Sequence, residues 1–212
     1  MKLAIGTAQW GMEYGINNLS GIIKEDDIQK INSLSIKENI HMIDTASGYG
    51  NSEQRIGKLI SKDFNVVSKF GNIDQHGSIS KQLDKSLLHL GISKIYGYLF
   101  HDINDLIGNL NYWDELKLLK KSGKISKIGY SIYEPNELEY LIKKNCIPDI
   151  VQLPFNIFDR KFLHYFPILK KMNTEIHIRS IFLQGLMFKE ISTLKGNLKN
   201  LKIPLEKLNG LA

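Results

Sequence analysis

Three titratable side chains stand at the ends of three successive apolar runs: Asp44, Lys69 and His101. A tyrosine, Tyr49, follows the first of them by a short loop. Brought to one spot, these four types suit a carbonyl that accepts hydride, because the oxygen then develops alkoxide charge and needs a positioned proton donor. Tyr49 is the donor in this reading. A phenol with a reference pKa of about 10 gives up its proton more readily beside a cation, and Lys69 supplies one while Asp44 holds the ammonium. His101 would orient the carbonyl oxygen. No side chain donates hydride, so a redox cofactor has to supply it. Taken singly each residue has a plainer use: Asp44 capping a turn, His101 packed in a core, Lys69 reaching solvent along its stem. A barrel hydrolase or lyase using Lys69 as a Schiff-base amine leaves Tyr49 without a part.

The elements that would gather these residues are written in the periodicity. Short apolar runs at Ile40 to Thr45, Asn65 to Lys69, Ile95 to His101, Ile125 to Ser131, Asp149 to Pro154 and Glu175 to Ile181 alternate with amphipathic stretches. That alternation predicts parallel strands joined by crossover helices. Leu83, Leu87 and Leu90 share one helix face ahead of Gly91, and Trp113, Leu116 and Leu119 share another ahead of Gly123. Asn39 falls where a left-handed residue is wanted, Pro135 opens a helix, and Asn51 with Gln54 reads as a capping box behind Tyr49. Asp102 reads as a helix cap. Leu3 to Thr7 is expected to form a short hairpin or lid.

Alternation alone fits a doubly wound sheet or a (β/α)8 barrel. Gly48-Tyr49-Gly50 is followed by Asn51, Ser52 and Glu53, so the third glycine of a dinucleotide-binding turn is missing. Polar residues collect where the runs end: Asp44 and Thr45, Lys69, His101 and Asp102, Ser131, Gln152, then Arg179 and Ser180. Barrel active sites draw residues from the carboxyl ends of several strands, so a TIM-barrel type of α/β fold is expected, as one domain over residues 1–212.

Composition removes several classes. The chain has 212 residues, 42% hydrophobic and 24% charged, and its apolar runs are one strand long, which excludes disorder and a membrane-spanning helix. Its net charge of +6 comes from 28 basic and 22 acidic residues. The first hundred residues hold 11 basic against 10 acidic, and the remainder 17 against 12, so no basic stripe suggests nucleic acid. Lysine dominates, which makes Arg55, Arg160 and Arg179 positions where a planar fork could matter. Met1 and Lys2 run straight into an alternating stretch without a leader's apolar core, so a cytoplasmic protein is expected. The lone Cys146, beside Ile147 and Pro148, is expected to be a packed thiol, and no metal cluster is expected.

In its ordered motifs the sequence resembles the aldo-keto reductases. The matching segments are Gly6-Thr7-Ala8-Gln9-Trp10-Gly11, Asp44-Thr45-Ala46-Ser47-Gly48-Tyr49-Gly50-Asn51-Ser52-Glu53 and Ser68-Lys69-Phe70, followed by Leu99-Phe100-His101-Asp102 and Lys127-Ile128-Gly129-Tyr130-Ser131. Val151 to Asn156 and Arg179 to Gly185 also match in order. The resemblance implies a catalytic tetrad of Asp44, Tyr49, Lys69 and His101, NADPH as cofactor with NADH possible, and a small aldehyde or ketone as substrate. It also implies that Ser131 and Gln152 hold the nicotinamide carboxamide. Two positions depart from the family: Ile132 stands where many members have Asn, and Arg179 with Ser180 stands where an aromatic ring often stacks on the nicotinamide. A guanidinium can stack as a plane or pair with phosphate, so Arg179 is a candidate substitute. Trp10 and Tyr14 would line the carbonyl pocket.

Counting the runs leaves the barrel incomplete, with six strands written and the seventh and eighth expected to be absent. The family's last loops grip the pyrophosphate and adenine, so two readings follow: a carbonyl reductase whose catalytic half is present, or a non-catalytic remnant or interaction module. Open strand edges would favour self-association.

Overall fold

The run Asn65–Phe70, rich in β-branched and aromatic residues, forms a strand buried along nearly its whole length in the computed structural model. The structure describes residues 3–60 and 63–210; Met1, Lys2 and the Ala212 end of the expected domain lie outside the described residues. Seven strands form one sheet in chain order: β1 (Ile5–Gly6), β2 (Met42–Asp44), β3 (Asn65–Phe70), β4 (Ile95–Phe100), β5 (Ile125–Ser131), β6 (Ile150–Pro154) and β7 (Glu175–Arg179). Every neighbouring pair is parallel. Sequential parallel order with helices between the strands is the topology of a (β/α)8 barrel lacking closure, as the polar residues at the ends of the runs implied.

The strand count differs from the sequence reading. Leu3 to Thr7 is neither hairpin nor lid: Ile5 and Gly6 pair in register with Ile43 and Asp44, and the Thr7 N–H donates to the Asp44 carbonyl at 3.0 Å. It is the first barrel strand, so Glu175–Arg179 is the seventh and not the sixth, and of the two strands expected to be absent the seventh is present. A two-residue strand is too short to show a period of its own.

Helices cover the outer face. After α1 (Ala8–Gly11) come α2 (Glu25–Lys37), α3 (Ser52–Leu59), α4 (Ile73–His76), α5 (Ile79–Leu90), α6 (Ile103–Gly108), α7 (Asn111–Lys121), α8 (Pro135–Lys143), α9 (Phe166–Lys171) and α10 (Lys202–Asn209). The ends follow the expected chemistry. The Ser78 hydroxyl caps α5, Asp102 caps α6 by accepting from the Asn104 N–H, and Asn39 is left-handed with φ 56°. On α8 the Glu137 carboxylate accepts from the N–H groups of Tyr133 and Glu134 at 2.7 and 2.9 Å, which fixes the turn after β5. No helix among the described residues is long and apolar enough to cross a membrane. Cys146 is a buried free thiol.

Strand alternation divides the core in two. Phe70, Tyr98, Phe100, Tyr130, Val151 and Leu153 face the helices in the large outer cluster, whereas Val67, Leu99 and Ile150 form a small cluster on the other face. The inward rank continues upward as Lys69 above Val67 and Gln152 above Ile150. Room for it comes from Gly129, where a Cβ would lie 1.7 Å from the Ile150 carbonyl oxygen. At the opposite end of the strands Glu175 accepts from Tyr96 and Lys127 at 2.8 and 2.5 Å.

Candidate active site

Asp44 is the last residue of β2 and Lys69 the fifth of β3, and the parallel register puts both on the inward face at the carboxyl end of the sheet. The Lys69 ammonium donates to both Asp44 oxygens at 2.8 Å and to the Thr45 carbonyl at 2.7 Å. Its side chain is only 1% exposed. The Gln152 amide reaches across from β6 and donates to Asp44 Oδ1 at 2.7 Å. Burial pushes the Lys69 pKa down and Asp44 pulls it back up.

Tyr49 sits on the turn between β2 and α3. Lys69 Nζ lies 5.3 Å from its ring centroid, and the His101 ring meets it edge-on at 5.6 Å. The turn is tied to β3 by the Ser47 N–H and hydroxyl, which both donate to the Lys69 carbonyl. Below it, Ser52 donates to Thr7 and faces the Thr45 hydroxyl. The expected Asn51 capping box is not formed: Asn51 occupies the cap position without a side-chain bond, and Gln54 faces His89 instead. What holds Tyr49 is backbone contact, since a Cβ on Gly11 would lie 1.7 Å from the Tyr49 carbonyl oxygen and Gly50 turns away with φ 57°.

The electrostatics correct one expectation. The Tyr49 phenol is held well above its ordinary range, first by burial and then by the Asp44 charge; Arg179 opposes this, and Lys69 is not among the groups that shift it. His101 is pushed down to about 4, first by burial and then by Lys69, with Arg179 adding to it, so its imidazole is neutral at physiological pH.

Ser131 ends β5, buried, and Gln152 is buried on β6. Arg179 ends β7 with its guanidinium 3.9 Å over the Tyr133 ring and Nη2 donating to the Ile132 carbonyl at 2.9 Å; Ser180 Oγ is 3.5 Å from Nη1. Tyr133 was missed in the sequence, where nothing but its place just after the β5 end pointed to it. Trp10 does not line the mouth: at 2% exposure it packs into the helix-facing core, because the one-turn α1 lies against α3. Tyr14, on the loop after α1, lies near enough to Tyr133 and Arg179 to be affected by both: burial and Tyr133 push its pKa up and Arg179 pulls it down. Of the other arginines, Arg160 is exposed, while Arg55 donates to the carbonyls of Trp10 and Ile23 at 2.5 and 2.7 Å and so clamps both ends of the loop that carries Tyr14. The tip of that loop meets the segment after β7, where the Ile16 N–H donates to the Gln184 carbonyl at 2.9 Å.

The sequence profile of the aldo/keto reductases matches residues 2–202, and the chain belongs to the aldo/keto reductase family. Among curated proteins it is similar to the uncharacterized oxidoreductase YqkF of Bacillus subtilis, 27% identical over 206 residues that cover 88% of this chain and 66% of that protein. Among solved structures it is similar to the putative aldo-keto reductase PA4992 from Pseudomonas aeruginosa, with a TM-score of 0.71 and 22% identity over 84% of this chain and 72% of that one. The aldo-keto reductase AKR2E4 of Bombyx mori, solved in complex with NADP, matches with a TM-score of 0.62 and 20% identity, covering 84% of this chain and 62% of its own. The chain spans between half and two thirds of the length of the curated relatives it matches.

Proposed function

We propose that the chain reduces a small aldehyde or ketone to an alcohol with NADPH, NADH being the possible alternative. The observation that carries this reading is the buried Lys69–Asp44 pair beneath Tyr49 and His101 at the mouth of the sheet. The residues present fit a nicotinamide carboxamide. The Ser131 hydroxyl has no protein partner among the described residues, and Gln152 spends its amide N–H on Asp44 while its carbonyl stays available, so the pair offers complementary groups to an amide. Ser131 and Gln152 would hold the nicotinamide of NADPH there, and the cofactor would supply the hydride.

The chain's own residues then deal with the oxygen. Tyr49 releases its O–H proton to the developing alkoxide, leaving an alcohol and a tyrosinate that solvent reprotonates. A phenol held high by burial stays protonated until that charge appears, which is the state a donor needs. His101, neutral and edge-on to Tyr49, can hydrogen-bond the carbonyl oxygen without adding a second charge. Lys69, saturated by Asp44 and Thr45, acts as the rigid floor that keeps the phenol in place. The NADP held by the Bombyx mori protein agrees with this choice of cofactor.

Tyr49→Phe tests the reading. NADPH oxidation with a panel of small aldehydes should fall by about 10² to 10⁴-fold, the usual contribution of a general acid, with NADPH binding unchanged. Unchanged turnover would remove Tyr49 from the chemistry.

A further inference from the structure

Arg179 is a half-buried cation with no carboxylate partner among the described residues. Its contacts are a carbonyl, a serine hydroxyl and the Tyr133 ring. The other buried cation at the mouth, Lys69, is balanced by Asp44, and no hydrogen bond or ion pair joins Asp44 to Arg179. Asp102, the remaining carboxylate beside His101, is exposed and occupied in capping α6. With His101 neutral, the mouth carries one positive charge that the chain itself does not answer.

The placement of that charge is defined. Arg179 pairs in register with Pro154, two residues beyond Gln152, so parallel pairing puts it on the same face as Gln152. It therefore lies one strand over and, at about 3.3 Å per residue, roughly 7 Å further toward the mouth than Gln152's level. Its field reaches Tyr14, Tyr49 and His101, the groups on the proton-delivery side. The Tyr133 ring covers one face of the guanidinium, and Glu137 fixes Tyr133 through its backbone N–H, so the fork is held in one plane with Nη1 turned toward nothing stronger than Ser180 Oγ. A cation kept half-desolvated without a counter-ion costs stability unless a ligand completes it.

We propose that Arg179, stacked on Tyr133, is an anion site for the substrate, so that the carbonyl compound reduced here carries a carboxylate or phosphate group beyond its aldehyde or ketone. The inference rests on the reductase reading and narrows it to anionic carbonyl compounds. A guanidinium fork matches both groups with paired hydrogen bonds, and an anion seated on it would point the carbonyl inward toward Tyr49 and His101.

Matched pairs of probes decide it: 4-oxobutanoate against butanal, and glyceraldehyde 3-phosphate against glyceraldehyde. The wild-type chain should prefer at least one anionic member by 10-fold or more in kcat/KM, chiefly through KM. Arg179→Met should erase that preference, read as the ratio of kcat/KM for the charged over the neutral member of each pair, and Arg179→Lys should restore part of it. Equal rates within both pairs would overturn the proposal. So would a variant that weakens NADPH binding and slows charged and neutral substrates alike, since the anion met by Arg179 would then be the cofactor's phosphate. A third arm needs no turnover: calorimetric titration of the chain with 4-hydroxybutanoate and with glycerol 3-phosphate, cofactor absent. Binding of either that disappears in Arg179→Met supports the anion site even if no carbonyl is reduced, and binding of neither, with no turnover, overturns it.

Discussion

Replacing Lys69 by Met removes an ammonium that makes three contacts of 2.7 to 2.8 Å inside the sheet while keeping most of the apolar stem. The partner it leaves behind is Asp44, whose side chain is 22% exposed and which keeps the Gln152 N–H at 2.7 Å. Breaking a buried ion pair by deleting one member costs about 3 to 5 kcal/mol, because the remaining charge is uncompensated. The partial exposure of Asp44 and its bond from Gln152 put the expected loss near the lower end, about 3 kcal/mol. Most of that loss belongs to the stranded carboxylate, so it should be recoverable. Lys69→Met combined with Asp44→Asn should be less destabilised than Lys69→Met alone, by about 1 to 2 kcal/mol, since a neutral amide can still accept from Gln152. Urea unfolding of wild type, both single variants and the double variant, at one protein concentration and with slopes compared, reads the cycle. If Lys69→Met lies within about 0.5 kcal/mol of wild type, or the double variant loses the sum of the two singles, the pair is not the coupled, desolvated unit described above. Carbonyl reduction should fall in Lys69→Met in either case, through the lost floor beneath Tyr49.

Burial, with Lys69 adding to it, pushes the His101 imidazole from 6.5 down to about 4, so between those values the unfolded chain binds the extra proton and stability falls as pH falls. At about 1.4 kcal/mol per tenfold change the loss approaches roughly 3 kcal/mol near pH 4, and His101→Gln should flatten that stretch of a urea-midpoint profile; parallel profiles would place the histidine in an ordinary environment. Gly129→Ala should cost several kcal/mol or prevent folding, because its Cβ would lie 1.7 Å from the Ile150 carbonyl oxygen, whereas Gly108→Ala, with nothing within 4 Å, should leave the urea midpoint nearly unchanged. Equal midpoints for the two alanine variants would show that β5 and β6 can part without penalty.

The grouping of Asp44, Tyr49, Lys69 and His101 at one end of the sheet was legible because each residue announces itself locally. A charge at the end of an apolar run is costly unless it has a use, and three such charges at successive strand ends can share one use only in a sheet whose strands run parallel. The helix stops at Asn39, Gly91 and Gly123 were legible for the same reason, each being a backbone demand met by one residue type. The first strand was not, since Ile5–Gly6 owes its existence to pairing with Ile43 and Asp44 and not to a pattern of its own. The upward shift of the Tyr49 phenol was not legible, because it comes first from burial and then from the Asp44 charge, and burial is not written in residue spacing. Trp10 was misplaced because a loop aromatic and a one-turn helix aromatic look alike until α1 is seen packed on α3. The stack of Arg179 on Tyr133 joins the ends of two strands far apart in sequence, which no spacing encodes.

On the proposed reading, chemistry and recognition would draw on different parts of the sheet. Asp44, Lys69 and His101 stand on or just after β2, β3 and β4, strands paired on both edges, and Gln152 ties them to β6 through Asp44. Arg179 stands on β7, which is hydrogen-bonded to β6 on one edge alone among the described residues, and its neighbouring segment is held toward the first loop by the Ile16 to Gln184 bond. Left-handed backbone at Ser180, Leu183 and Gln184, each costing of order 1 to 3 kcal/mol in a non-glycine residue, accumulates in that same segment. The doubly paired strands thus carry the residues proposed to deliver the proton, and the left-handed backbone lies beside the residue proposed to hold the anion. A substrate anion on Arg179 would supply the counter-charge that β7 lacks and would stabilise the strained segment in the geometry that faces Tyr49.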